Sequence, residues 1–378
     1  MRINFGILLA AASALMNASA VVAAPASVQP NLIVFGNSLS DTGNTVALTH
    51  GQAYWNGRYS NSYVWNEYTA KLLGYKLENH AYGGATSNNI LSPVINGNIT
   101  IPSFHDQVAA WLSKNPNPSS FNLNNDVIQV EIGGNDIFHR VSGLLAGTVN
   151  VQEFISQLAS SIANDVQTLV DAGYKNIDVW SLPAVDKAPI VTSVNAGALV
   201  KPLVAAINTA ISNAINKVAS KNSSKTQGIH LFDLNGLMAI GLNPQVLAAL
   251  GVTDSADACY VKSASGQVTI CSNPDQYFFY DSIHPASRMH YLWGIVAAIL
   301  TRNPTATIDI PAALSLIKTF DIHDSSRDNN IVVGSVTGPE SSAIPPASAA
   351  PATYTTSIPT STAPVVVPTS SQPPRKCH

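Results

Sequence analysis

The chain has 378 residues, of which only 11% are charged, and a formal net charge of −3 at pH 7. There is no basic field and no basic stripe along any helix, so nucleic acid is not an expected partner. Length alone allows one large domain or two small ones, and the order of elements favours one.

In chain order, Arg2, an apolar run from Ile3 to Met16 and the small residues Ala18-Ser19-Ala20 have the layout of a secretory signal, so residues 1–20 read as a signal peptide. The run is shorter than the roughly 20 residues of a bilayer span, and no later segment reads as long and apolar enough, so no transmembrane anchor is expected. Residues 28–334 are the expected domain. Short β-branched runs recur at Leu32–Phe35, Lys76–His80, Val127–Ile132, Ile177–Leu182 and His230–Leu234. Segments with helical spacing of apolar residues lie among and after them, at Tyr63–Leu73, Phe104–Leu112, Phe154–Ala172, Leu199–Ala219 and Met289–Leu300. Strand alternating with helix predicts an α/β protein: a flavodoxin-like three-layer α/β/α sandwich around a five-stranded parallel sheet. Ligands of such sheets sit outside the carboxyl ends of the strands.

Residues 305–334 follow the last helix of this pattern, as an added helix and strand packed on the body or a partly ordered extension. Residues 338–378 are rich in Ser, Thr, Pro and Ala and read as a disordered tail, without the apolar end of a glycolipid-anchor signal. Cys259 and Cys271 are expected to pair in an oxidising compartment, in preference to two buried thiols, closing a small loop worth about 3 kcal/mol. Cys377 is the odd one, in the tail. Asn98-Ile99-Thr100 and Asn222-Ser223-Ser224 are N-glycosylation sequons. The expected product is extracellular, soluble or held at the cell wall, and monomeric.

Four clusters fall at comparable positions. Gly36-Asn37-Ser38 follows the first strand; alone it would read as a turn. Gly83-Gly84 follows the second, where a backbone N–H can approach a ligand unobstructed. Gly133-Gly134-Asn135-Asp136 follows the third, and Asp281 stands three residues before His284 in "QYFFYDSIHPASRMHY". Together they supply the parts of an acyl transfer: Ser38 as nucleophile, His284 as its base, and Asp281 to orient the imidazole. The backbone N–H groups of Ser38 and Gly84 and the Asn135 amide are candidate oxyanion donors. Asp136 reads as a hydrogen-bonding partner within its turn. The remaining histidines have no metal-ligand spacing and no Cys-x-x-Cys occurs, so no metal site and no cofactor are expected.

These blocks, "FGNSLSDTGN", "AYGGAT", Gly133 to Asp136 and Asp281 to His284, resemble the GDSL, or SGNH, hydrolase family. The four residues of the latter name match Ser38, Gly84, Asn135 and His284. "YWNGRYSNSYVWNEYTAKLLG" is similar to the stretch after the first block in secreted esterases of the lecithinase-like branch. Two positions depart from the pattern: Asn37 stands where family members usually have Asp, and Ser62 where a glycine is frequent. Trp55 and Arg58, just after the nucleophile block, are expected to contact substrate. The resemblance implies a serine esterase acting on an ester substrate, with short acyl groups such as acetyl on carbohydrates favoured because no long amphipathic lid with a basic face is evident. A lipase or phospholipase acting on longer chains is the alternative. A retired hydrolase scaffold serving as a surface binding protein is the reading from a different class, motivated by Asn37 and the tail.

Overall fold

The computed structural model describes residues 29–49, 54–116, 123–323 and 332. The expected signal peptide, the expected 338–378 tail and Cys377 lie outside the described residues. The first strand, β1 (Asn31–Gly36), is buried throughout and sends alternate side chains to opposite layers, Leu32 and Val34 to one and Ile33 and Phe35 to the other. With β2 (Lys76–Asn79), β3 (Val127–Glu131), β4 (Asn176–Trp180) and β5 (Gly228–Phe232) it forms a five-stranded sheet in the order β2-β1-β3-β4-β5. All four pairings are parallel. Parallel neighbours need crossovers, and a helix lies in every one. This is the expected flavodoxin-like three-layer sandwich.

The long helices are α1 (Trp65–Leu73), α2 (Phe104–Lys114), α3 (Gly134–Leu145), α4 (Val151–Asp171), α5 (Gly197–Lys221), α6 (Ser287–Arg302) and α7 (Ile310–Thr319). Helices α1, α6 and α7 cover the face that carries Leu32 and Val34, while α2, α4 and α5 cover the face that carries Ile33 and Phe35. Helix α7 resolves part of the 305–334 segment: Ala313, Leu316 and Ile317, with Phe320 and Ile322 beyond it, are buried in the α1/α6 layer. Helix α3 was not legible as a helix, because Gly133-Gly134 reads as a turn.

Two expectations need correction. Helix α5, 25 residues long, does meet the length and hydropathy of a bilayer span. It is nevertheless two-faced: Val200, Val204, Ile207, Ile211, Ile215 and Val218 are buried at helical spacing, and Lys201, Thr209, Asn213, Asn216 and Lys217 are exposed. The side chain of Asn222 is buried, and its Nδ2 donates to Gln167 Oε1 (2.8 Å) and to the Val218 carbonyl (2.8 Å). The folded chain has no room for a glycan on that nitrogen. Asn98 is exposed, in the turn between Ile95–Asn96 and Ile99–Thr100. Cys259 and Cys271 are bonded to each other, at the base of an antiparallel hairpin of Tyr260–Lys262 and Val268–Ile270.

Helices α1 and α6 lie against each other at Gly294, where an added Cβ would sit 2.6 Å from the Trp65 carbonyl oxygen and 2.5 Å from Tyr68 Cβ. Backbone cannot yield as a flexible side chain can. Gly294→Ala is therefore expected to lower the stability of the fold by about 1–3 kcal/mol, read as a lower urea midpoint with an unchanged slope.

Candidate active site

The turn after β1 is held from within. Asp41 is fully buried, and its Oδ1 accepts from the N–H groups of Gly43 and Asn44, both at 2.7 Å. Its Oδ2 accepts from Thr45 N (3.1 Å) and, across the site, from Gly83 N (2.8 Å). One carboxylate thus joins the Ser38 turn to the glycine block. Gly84, one residue further, has φ +87°, a backbone conformation that disfavours any side chain. Asp136 makes the equivalent link on the other side: it accepts from Ser87 N (3.0 Å) and Ser87 Oγ (2.6 Å). Burial pushes its carboxyl up to about 6 against these hydrogen bonds. Beside it in the first turn of α3, Asn135 donates from Nδ2 to the Ala85 carbonyl (2.9 Å). A primary amide has two N–H donors, so one remains for the cavity that Asn135 lines.

Ser38, His284 and Asp281 meet in a continuous chain. His284 Nε2 lies 2.7 Å from Ser38 Oγ, and His284 Nδ1 lies 2.7 Å from Asp281 Oδ2. Asp281 Oδ1 accepts from the N–H groups of Ile283 (2.7 Å) and His284 (2.6 Å), so the short D-x-x-H turn positions acid and imidazole together. Burial opposes ionisation of Asp281, but His284, the backbone N–H groups and the hydroxyl of Tyr54 prevail and hold the carboxyl below its ordinary range. Tyr54 donates to Asp281 Oδ2 at 2.7 Å, a contact that sequence reasoning missed because 227 residues separate the two. Asp41 was missed as well, although its place in "SDTGN" is a local turn signal.

A cavity opens beside Ser38, with Asn135 and His284 on its rim and Phe138, Val185, Met238, Ile283 and Trp293 among its apolar walls. Trp55 and Arg58 do not line it, which corrects the expectation that they contact substrate. Arg58 pairs with both carboxylate oxygens of Glu67 (2.6 and 3.2 Å) and lies over the Trp55 ring, which in turn packs edge-on against Tyr63. The two brace the loop that leads into α1.

The unusual Asn37 has a specific partner. Its Nδ2 donates to Glu131 Oε1 (3.3 Å) at the end of β3, and its Oδ1 accepts from Leu39 N (2.9 Å). Glu131 is buried, and burial raises its carboxyl to about 8 against the lowering effect of the Asn37 hydrogen bond. Together the pair carries one carboxyl group, not two.

The chain matches the model of the GDSL-like Lipase/Acylhydrolase family over residues 32–294, and it belongs to that family. Among curated relatives, it is 31% identical over 177 residues to an acetylesterase of Thermothelomyces thermophilus, covering 42% of this chain and 55% of that protein. It is 28% identical over 173 residues to the thermolabile hemolysin of Vibrio parahaemolyticus, covering 43% of this chain and 37% of the relative. It is 26% identical over 237 residues to the phosphatidylcholine-sterol acyltransferase of Aeromonas hydrophila, covering 61% and 65%. The match therefore spans between about a third and two thirds of the length of these relatives. Among solved structures, an acetylxylan esterase of Geobacillus stearothermophilus, in a catalytic-mutant form, aligns with a TM-score of 0.39 and 13% identity over 75% of this chain and 98% of that one.

The Asn37–Glu131 contact makes a pH-dependent prediction. The Glu131 carboxyl is raised from 4.5 to about 8 on folding, so the stability tied to its proton is full below about pH 4.5 and lost as pH rises through about 8. Asn37→Asp would set a second carboxyl against it. The variant is expected to be less stable than wild type by about 1–3 kcal/mol, with a larger deficit in urea unfolding at pH 8 than at pH 5. Adding Glu131→Gln should remove the extra deficit at pH 8.

Proposed function

We propose that the protein is a serine esterase that cleaves carboxylic esters through an acyl-enzyme. The observation that carries this reading is the unbroken path from Ser38 Oγ through His284 to Asp281, with both contacts at 2.7 Å. Serine is a weak nucleophile at its own pKa, and a neighbouring imidazole removes that obstacle. In this scheme Ser38 Oγ attacks the ester carbonyl carbon while His284 Nε2 takes its proton. The oxyanion that forms is met by the N–H groups of Ser38 and Gly84 and the free N–H of Asn135 Nδ2, at the N-terminal end of α3. His284 then protonates the departing alcohol. Water, activated by the same imidazole, releases the acid and restores Ser38. Asp281 holds the ring in the tautomer both steps need. No step calls for a cofactor.

Cavity size bears on the acyl group. The cavity beside Ser38 has a volume of about 40 Å³. A water needs about 10–15 Å³, so the room suits roughly three heavy atoms. That supports an acyl group with about three carbons or fewer beyond the carbonyl, acetyl to butyryl, and the name of the acetylesterase relative is in keeping with it. Acetylated carbohydrate is the substrate class we propose on this footing. The apolar walls favour a second reading, in which longer acyl chains enter after the walls move, as a lipase would require. The assembled Ser38–His284–Asp281 chain speaks against a retired binding scaffold. Release from the cell is part of the proposal, supported by the signal-like residues 1–20 and by the Cys259–Cys271 bond, a type of bond that persists in oxidising compartments.

Hydrolysis of p-nitrophenyl acetate, butyrate and palmitate tests the reading directly. Acetate and butyrate are expected to be cleaved well and palmitate poorly, with Ser38→Ala slower by about 10⁴-fold or more. Faster cleavage of palmitate would move the protein to the lipase reading. Asn135→Ala is expected to lower kcat about 10²- to 10³-fold with a small change in KM.

A further inference from the structure

Asp281 Oδ2 has two claimants: His284 Nδ1 at 2.7 Å and the Tyr54 hydroxyl, also at 2.7 Å. Its other oxygen is already taken by two backbone N–H groups. The carboxylate is thus held from both sides, and among the described residues Tyr54 is the one side-chain donor that comes from outside the D-x-x-H turn. The phenol must be neutral to donate, and it is: burial first, and the Asp281 charge second, push its pKa far up.

What holds Tyr54 is equally specific. Its ring lies 4.5 Å from the ring of Tyr260 and 5.0 Å from that of Tyr280, with Tyr59 edge-on at 6.4 Å. Tyr260 stands next to Cys259, and the hairpin closed by Cys259–Cys271 is tied to the D-x-x-H segment by Tyr260 N to the Tyr280 carbonyl (2.6 Å) and Cys259 N to the Phe279 carbonyl (3.2 Å). An excursion that exposes Val261, Val268 and Ile270 to solvent therefore also clamps the aromatic cluster over Asp281.

We infer that Tyr54 is a positioning residue of the ester-cleaving site, whose hydroxyl fixes Asp281 Oδ2 on His284 Nδ1, and that the disulfide-closed hairpin is the buttress that holds Tyr54 there. The inference rests on the serine-esterase reading above. A hydrogen bond to a charged group is strong enough for its loss to govern a tenfold or larger change in rate. Removing it leaves the charge on Oδ2 less satisfied and its alignment on His284 Nδ1 less fixed, while the backbone N–H groups still hold Oδ1 and the ring keeps its packing.

Tyr54→Phe, made in the full chain and compared with wild type on p-nitrophenyl acetate from pH 4 to pH 9, separates this role from simple packing. The variant is expected to lose about tenfold in kcat with KM within about twofold. The acid limb of kcat/KM, which reports proton loss from the Asp281–His284 pair as a unit, should move to higher pH. The other groups at the site do not create the difference between the two proteins: Glu131 and Asp136, which titrate inside this range, are the same in both. Burial, with smaller carboxylate contributions, raises Tyr59 to about 12 and also raises Tyr260, while burial, aided by His284, lowers His290 to about 3. A variant with wild-type kcat and an unmoved acid limb overturns the positioning role, whatever its melting temperature. Replacing both Cys259 and Cys271 by Ser should lower kcat in the same direction, and wild-type turnover in that protein overturns the buttress. A fluorophosphonate that labels Ser38 in wild type keeps these failures apart from failure of the esterase reading; if wild-type Ser38 is not labelled, that reading falls and the role of Tyr54 falls with it.

Discussion

Asp41 is the constraint on which the site depends. A carboxylate with no solvent exposure is tolerable only when its oxygens are occupied, and Asp41 meets that demand with four backbone N–H groups, three from its own turn and one from Gly83. The turn that presents Ser38 and the loop that follows β2 are therefore one unit. Asp136 adds the start of α3 to it by taking the N–H and hydroxyl of Ser87. The proposed oxyanion donors come from three strand ends far apart in sequence, and these two buried carboxylates bring the ends together before any substrate arrives. Donors fixed in advance cost no reorganisation as charge develops.

Buried acids play opposite parts around Ser38. Asp281 is surrounded by donors and stays ionised, as an orienting partner of an imidazole must. Glu131 has one modest donor, the Asn37 amide, and its second oxygen has no partner, so it favours the neutral form. The charge of His284 first, and the number of donors second, separate the two, rather than depth of burial. Asn37 suits this arrangement because an amide can donate to Glu131 and accept from Leu39 at once, which a carboxylate beside another carboxyl cannot do without a proton. The departure from the family's usual residue is thus answered by a contact across the sheet, and it leaves the Ser38–His284–Asp281 chain intact.

Much of this was legible in the sequence, for reasons that differ by residue. Strands β1 and β3 show as β-branched runs because both faces are buried, and the ends of each fall within a residue of those read from the pattern. Ser38, Asn135, Asp281 and His284 sit in short blocks whose spacing is local chemistry. Helix α3 was hidden because its cap and first residue are both glycine. Asn222 reads as a surface sequon, yet the turn after α5 folds its side chain inward against Gln167. Trp55 and Arg58 lie near Ser38 in the chain, but the salt bridge to Glu67 turns them away from the cavity. Tyr54, one residue before Trp55, goes the other way and reaches Asp281. No local pattern distinguishes neighbours whose partners are 9 and 227 residues distant.

The sheet itself explains how such distant partners meet at one level. On the face toward α6, β3, β4 and β5 carry a row of polar side chains at matched register: Gln129 opposite Asp178, and Asp178 opposite His230. Asp178 binds His230 Nδ1 (3.0 Å) through one oxygen, and through the other Gln129 Nε2 (3.2 Å) and the Thr301 hydroxyl (3.1 Å) of α6. A slip of one residue in any of these strands would turn its polar member into the apolar layer formed by α2, α4 and α5, where no partner waits, and would leave the others unpaired. Apolar strands alone tolerate such slips more easily than a buried row of hydrogen bonds does. The row sets the heights of the three strand ends, and those heights place Asn135, Pro183 and the segment after β5 around Ser38. Polarity in the middle of the core is in this sense part of the site, although none of its atoms faces the cavity.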